Sequence, residues 1–179
     1  MSGEHVFVSI GTNLGDRAGH LAFALRRLGA LPGTRLEALS PVYETDPVGP
    51  PPQGPYLNAV ASLRTRLAPR ALLAALLGIE RDAGRDRGVR NAARTLDLDV
   101  LLYGDLVLDE PGLVVPHPRL AERAFVLEPL AALAPARVHP LLGETIAALA
   151  ERVRDPAAVR PWLGDDAAWR ASLALGSTG

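Results

Sequence analysis

Arg94-Thr95-Leu96-Asp97-Leu98-Asp99-Val100-Leu101-Leu102-Tyr103, closed by Gly104, is the stretch on which the fold turns. Apolar and β-favouring residues dominate it, so it reads as a buried strand. Side chains alternate along a strand, which puts Asp97 and Asp99 on one face with their Cβ atoms about 7 Å apart. Two carboxylates that close on a core strand repel each other and resist desolvation unless cations sit between them. Mg²⁺ commonly takes one or two carboxylates together with substrate phosphates. The ordinary alternative is an Asp-x-Asp pair that caps a turn or faces water. The apolar continuation into Val100-Leu101-Leu102 weighs towards a metal site for phosphate chemistry.

Immediately upstream, Arg85-Asp86-Arg87-Gly88-Val89-Arg90-Asn91-Ala92-Ala93-Arg94 places four arginines in a loop that feeds the strand. A solvated basic loop or a nucleic-acid contact would account for the charge. Beside two carboxylates, charge complementarity within one polyphosphate site accounts for more. Metals would take one side of the phosphates and guanidinium forks the other. Such a loop also reads as a lid that orders on ligand.

Further out, His5 to Gly11 reads as a first strand with Val6, Val8 and Ile10 on one face. Asp16 suits a helix N-cap ahead of Leu21, Ala24, Leu25 and Leu28. Strands are expected over 35–44 and 56–65, with a proline-rich loop, 46–55, between them. Pro69 suits the first turn of a helix carrying Leu72, Leu73, Leu76 and Ile79 and ending near Gly84. A hairpin is expected through Gly104-Asp105, and helices at 119–133, 143–154 and 165–174. The order is β-α-β-β-α-β plus additions. That predicts an α+β fold, a ferredoxin-like α/β sandwich (βαββαβ core) with an added hairpin and C-terminal helices. Helices are expected on one face of an antiparallel sheet, leaving the other for a site.

The 179 residues fit a single domain. With 48% hydrophobic and 22% charged residues the composition is that of a globular protein. No apolar run approaches the roughly 18 residues that span a bilayer. No signal peptide is apparent and cysteine is absent, which excludes disulfides, thiolate zinc sites and a cysteine nucleophile and fits a cytoplasmic address. A net charge of −1 gives no global case for nucleic acid. All 19 basic residues are arginine, so phosphate binding falls to arginine and backbone amides.

Other candidates carry weaker signals. Gly11-Thr12-Asn13-Leu14-Gly15-Asp16 is foremost a β-to-α turn, and the proline-rich loop is better placed to cover a substrate than to bind a partner domain. Tyr56, Asn58 and Phe125 would suit a flat heterocycle by stacking and edge hydrogen bonds, although core packing explains each ring. His117, between prolines and near Arg123, is a candidate phosphate contact.

Together these motifs resemble the 6-hydroxymethyl-7,8-dihydropterin pyrophosphokinases of folate biosynthesis. The resemblance spans about residues 5–133. It is carried in order by Ile10-Gly11-Thr12-Asn13-Leu14-Gly15, Tyr43-Glu44-Thr45-Asp46-Pro47-Val48-Gly49, Tyr56-Leu57-Asn58, Ile79-Glu80 with Gly84-Arg85, Arg94-Thr95-Leu96-Asp97-Leu98-Asp99, and Val115-Pro116-His117-Pro118. It implies transfer of the pyrophosphoryl group of ATP to the pterin hydroxymethyl group, with release of AMP. It also implies two Mg²⁺ ions on Asp97 and Asp99. Thr45 and Val48 would meet the pterin through backbone groups and Asn58 through its amide, with Tyr56 and Phe125 stacking on either side. Glu80, Arg87, Arg90, Arg94, His117 and Arg123 would hold ATP, and Arg85 and Arg94 would steady charge during transfer. A cytoplasmic monomer acting on small molecules, without nucleic-acid or membrane partners, is the matching expectation. Asn91-Ala92-Ala93, Leu77 and Gly112 depart from the family pattern on the nucleotide side. Residues 155–179 match nothing in it; core packing is the expected role of Trp162 and Trp169.

Overall fold

A computed structural model describes residues 2–84 and 95–174. The first strand, β1 (Glu4–Thr12), runs into helix α1 (Arg17–Gly29). The Asp16 side chain accepts the Gly19 amide at 3.0 Å, as the N-cap expectation required, and Arg26 and Arg27 occupy the last turn, where cations oppose the helix dipole. The strand expected over 35–44 is two strands, β2 (Thr34–Leu39) and β3 (Tyr43–Thr45). The reason lies at Ser40-Pro41. Proline has no amide to give to a ladder, and Ser40 makes the local bonds instead: its amide donates to Val60 O and its Oγ accepts the Val60 amide, both at 2.9 Å.

β4 (Tyr56–Thr65) pairs along its length with β1, and on its other side with β3 and then β2. Helix α2 (Pro69–Asp82) begins on its proline, and β5 (Asp97–Tyr103) pairs with β1. The six-stranded antiparallel sheet has the order β5-β1-β4-β3-β8, with β2 also on β4 and β8 being Val159–Pro161, which no sequence pattern announced. This is the ferredoxin-like arrangement.

Two expectations need correction. The hairpin does not turn at Gly104-Asp105 back along β5. It is a separate ribbon, β6 (Leu108–Glu110) with β7 (Leu113–Val115), turning at Pro111-Gly112. Gly112 has φ 76°, a conformation that costs glycine little and other residues more. The second sheet face is also partly covered. Val6, Val8 and Ile10 face α1 and α2, where Leu21, Leu25, Leu28, Leu72 and Leu76 are buried. On the opposite face Phe7, Val60 and Leu101 pack under α3 (Ala124–Leu133) and α4 (Ile146–Arg152). Burying each such side chain contributes about 1.5–3 kcal/mol, so both faces are stabilised. Helix α5 (Ala167–Ala174) packs through Trp169 and Leu173 on the first core. Among the described residues, α3 and α4 leave the end of the second face around Gly11 open for a site.

Candidate active site

Cross-strand partners project from the same side of a sheet. Gly11 is paired with Asp97 on one side and with Asn58 on the other. Asn58 is paired in turn with Tyr43, Tyr56 with Thr45, and Asp99 with Ser9. Asp97, Asp99, Asn58, Tyr56 and Thr45 therefore belong to one face, the face that carries Phe7 and Leu101 at its covered end. Two strand spacings separate Asp97 from Asn58, about 10 Å. Gly11 lies between them as a floor without a side chain. A Cβ there would stand 2.9 Å from Asn58 Oδ1, so this position accepts only glycine without displacing the amide.

At the aspartate end, Glu80 of α2 is 1% exposed and accepts the Leu98 amide at 2.8 Å. Leu98 stands between the two aspartates, so this bond anchors the β5 backbone that presents them. The Asp99 side chain is 39% exposed. His117 follows β7 and is hung on β5 by its amide, which donates to Leu101 O at 2.9 Å. Its Nε2 lies 4.0 Å from Asp99 Oδ2. Its Nδ1 accepts the Arg119 amide at 3.1 Å, which places the proton of the neutral ring on Nε2. Burial, then the nearby Arg123 charge, lowers the His117 pKa to about 4, against a smaller upward pull from Asp97. The ring is therefore a neutral donor at neutral pH. Burial and Arg119 also lower the Arg123 pKa, with the two aspartates opposing. The Arg123 guanidinium lies 5.6 Å from the centre of the Phe125 ring in the first turn of α3.

At the other end Asn58 is 8% exposed and donates through Nδ2 to Thr45 Oγ1 at 2.6 Å. Val48, in the proline-rich loop, is 69% exposed. That loop is tied back to the β1–α1 turn. Asn13 donates to Gln53 Oε1 at 2.9 Å and to Gly54 O at 3.3 Å, and Tyr56 Oη donates to the same Gln53 oxygen at 3.3 Å. Arg17 joins Glu44 at 2.9 Å and Pro55 O at 3.0 Å. Asn13, Arg17 and Gln53 were not singled out by sequence reasoning, because the bonds that tie the loop to the β1–α1 turn join residues far apart along the chain. Gly11 could have been, since a glycine inside a strand often marks a close approach.

The face can thus offer two carboxylates, a neutral imidazole donor and Arg123 at one end, and a buried amide, a hydroxyl and aromatic edges at the other. Among the described residues no group of three or more His, Cys, Asp or Glu side chains is arranged to enclose a metal. A pair of half-exposed carboxylates fits a hard cation that draws its remaining ligands from water and a phosphate substrate. Arg85, Arg87, Arg90 and Arg94 lie outside the described residues. No helix among the described residues is long and apolar enough to cross a membrane.

Comparison with known proteins identifies the family. The family model of 7,8-dihydro-6-hydroxymethylpterin-pyrophosphokinase matches residues 7–135. A Pseudomonas aeruginosa 2-amino-4-hydroxy-6-hydroxymethyldihydropteridine pyrophosphokinase is 50% identical over 132 residues, 74% of this chain and 82% of the relative. The Schizosaccharomyces pombe folic acid synthesis protein fol1 is 41% identical over 134 residues, 75% of this chain but 18% of that protein. A crystal structure of HPPK-DHPS in complex with substrates shares the fold with TM-score 0.71 at 13% identity, covering 93% of this chain and 48% of the solved one. This chain therefore spans most of the bacterial relative and about half of the HPPK-DHPS chain. With more than half its length matched, the chain belongs to the 7,8-dihydro-6-hydroxymethylpterin-pyrophosphokinase family.

Proposed function

We propose that the family's reaction, pyrophosphoryl transfer to 6-hydroxymethyl-7,8-dihydropterin in folate synthesis, runs along the open end of the second sheet face. The chain is a pyrophosphokinase, and in this reading ATP is the donor and AMP the leaving product. The observation that carries the assignment of the site is the row Asp97–Gly11–Asn58, which sets Asp97 two strand spacings, about 10 Å, from a buried amide across a side-chain-free floor, with Asp99 two residues further along on the same face.

Asp97 and Asp99 would hold two Mg²⁺ ions, whose positive charge would offset the negative charge of the phosphates. Asn58 holds the pterin edge by its amide, with its orientation set by Thr45. The backbone of Thr45 and Val48 completes the edge contacts, and Tyr56 and Phe125 take the two ring faces. His117 donates from Nε2 to a phosphate oxygen while remaining neutral, and Arg123 adds a fixed positive charge beside it. Arg87 and Arg90 serve the nucleotide, the buried Glu80 contributes through the β5 backbone it anchors, and Arg85 and Arg94 take up charge as it develops. Positioning and electrostatics supply the catalysis, and no side chain attacks. The same reading has a cytoplasmic monomer with small-molecule substrates only.

AMP release from ATP is measured with and without the pterin and with and without Mg²⁺. Release that needs both is expected. AMP formed without pterin, or inorganic phosphate released with no acceptor, would overturn the reading.

A further inference from the structure

Residues 136–174 lie beyond the stretch matched by the family model, yet the chain returns from there to the centre of the pterin end. β8 pairs with β3 from outside, Tyr43 against Pro161, Glu44 against Arg160 and Thr45 against Val159. The bonding continues past both ends of the pair. The Asp46 amide donates to Ala158 O and the Trp162 amide to Val42 O, each at 2.9 Å. Asp165 Oδ2 then accepts the Val42 amide at 2.8 Å. Arg170 donates to Asp165 Oδ1 at 2.5 Å, to Asp165 Oδ2 at 2.8 Å and to Ser40 O at 2.8 Å. Trp162 and Trp169 pack edge to face at 5.4 Å across this clasp.

Ser40 O, Val42 N, Val42 O and Asp46 N are thus all bonded by residues 158–170. Segment 40–46 needs that help. β3 is three residues long, follows a proline break and runs into the proline-rich loop, and a strand so short has little stability by itself. Thr45, which orients Asn58, sits at its end, and Val48 follows three residues on.

We propose that the C-terminal segment 158–170, through the Asp165–Arg170 clasp on Ser40 and Val42, is a positioning element of the pterin pocket. It holds β3 in the register at which Thr45 meets Asn58 before the pterin arrives, so that ordering this strand is not charged against binding. Asp165 and Arg170 touch no substrate. The proposal rests on the assignment of Thr45, Val48 and Asn58 to the pterin.

The test uses the full chain with Asp165→Asn and Arg170→Gln, measuring KM for pterin, KM for ATP and kcat. The expected result is a pterin KM raised roughly three- to tenfold, with ATP KM unchanged. Arg170→Lys, which keeps the charge but not the fork, should fall between. An unchanged pterin KM, or parallel rises in both KM values, would overturn the proposal. Amide hydrogen exchange on the unaltered chain gives a second reading that survives if the variants fail to fold. Saturating pterin should slow exchange in 158–170 together with 42–49. Protection confined to 42–49 would refute the coupling. An unaltered chain that neither binds pterin nor needs it for AMP release would instead remove the functional assignment, and the proposal with it.

Discussion

Gly11→Ala puts the geometry of the site to a direct test. The added methyl would stand 2.9 Å from Asn58 Oδ1, where ordinary contact begins at 3.4 Å, so the amide must move by about half an ångström. Asn58 is buried and its other amide atom is bonded to Thr45 at 2.6 Å. Displacing it strains or breaks a buried hydrogen bond, a cost of roughly 1–2 kcal/mol. Against this, Ala in place of Gly narrows the unfolded ensemble and returns about 0.4–1 kcal/mol. The global stability should therefore fall by no more than about 1.6 kcal/mol, whereas the pterin contact takes the full local loss. One to two kcal/mol corresponds to pterin affinity weakened roughly five- to thirtyfold. Pterin titration by calorimetry and the urea midpoint measure the two quantities separately. Equal pterin affinity in the variant would refute the placement of Gly11 as the floor between the two ends of the site. A large fall in the urea midpoint would refute the claim that the clash is local.

The remaining expectations concern the metal end, its scaffold and pH. Asp97→Ala and Asp99→Ala should each abolish turnover and leave the urea midpoint unchanged or slightly raised, because one of two repelling carboxylates is gone; near-normal activity at limiting Mg²⁺ would contradict the metal assignment. Glu80→Ala orphans the Leu98 amide and should cost about 2 kcal/mol, read as a melting temperature lower by roughly 4–8 °C, with Glu80→Gln, whose amide oxygen can still accept, losing less. Arg85→Ala should slow turnover more than it weakens pterin binding, an outcome that separate kcat and pterin Kd measurements decide. Burial lowers the His139 pKa below 6.5, and its Nδ1 accepts the Leu141 and Leu142 amides at 3.2 Å each. The unfolded chain therefore takes up this proton first, so the His139 contribution to stability is full above pH 6.5 and is lost as pH falls from there towards the folded value. His139→Asn, whose Oδ1 can accept the same amides, should flatten the fall in stability between pH 7 and pH 5; an unaltered slope would show that the folded ring protonates normally.

Local chemistry made much of this protein legible in its sequence. Alternation assigned β1, β4 and β5, and Asp16 and Pro69 marked the starts of α1 and α2, because caps and periodicity act within a few residues. The shared face of Asp97 and Asp99 followed from the two-residue period alone. What the chain order could not state is which distant strand supplies the opposite partner. Gly11 becomes a floor only when β1 lies between β5 and β4, and Thr45 orients Asn58 only when β3 pairs with the start of β4. The bonding of Ser40 to Val60 and the burial of half the second face depend on which surfaces meet in the folded chain. So does the grip of Asp165 and Arg170 on Ser40 and Val42 across more than a hundred residues. Most of the elements, and the charges they carry, can be read along the chain. Their register cannot, because cross-strand hydrogen bonds and buried contacts form between residues that have no relation along the chain.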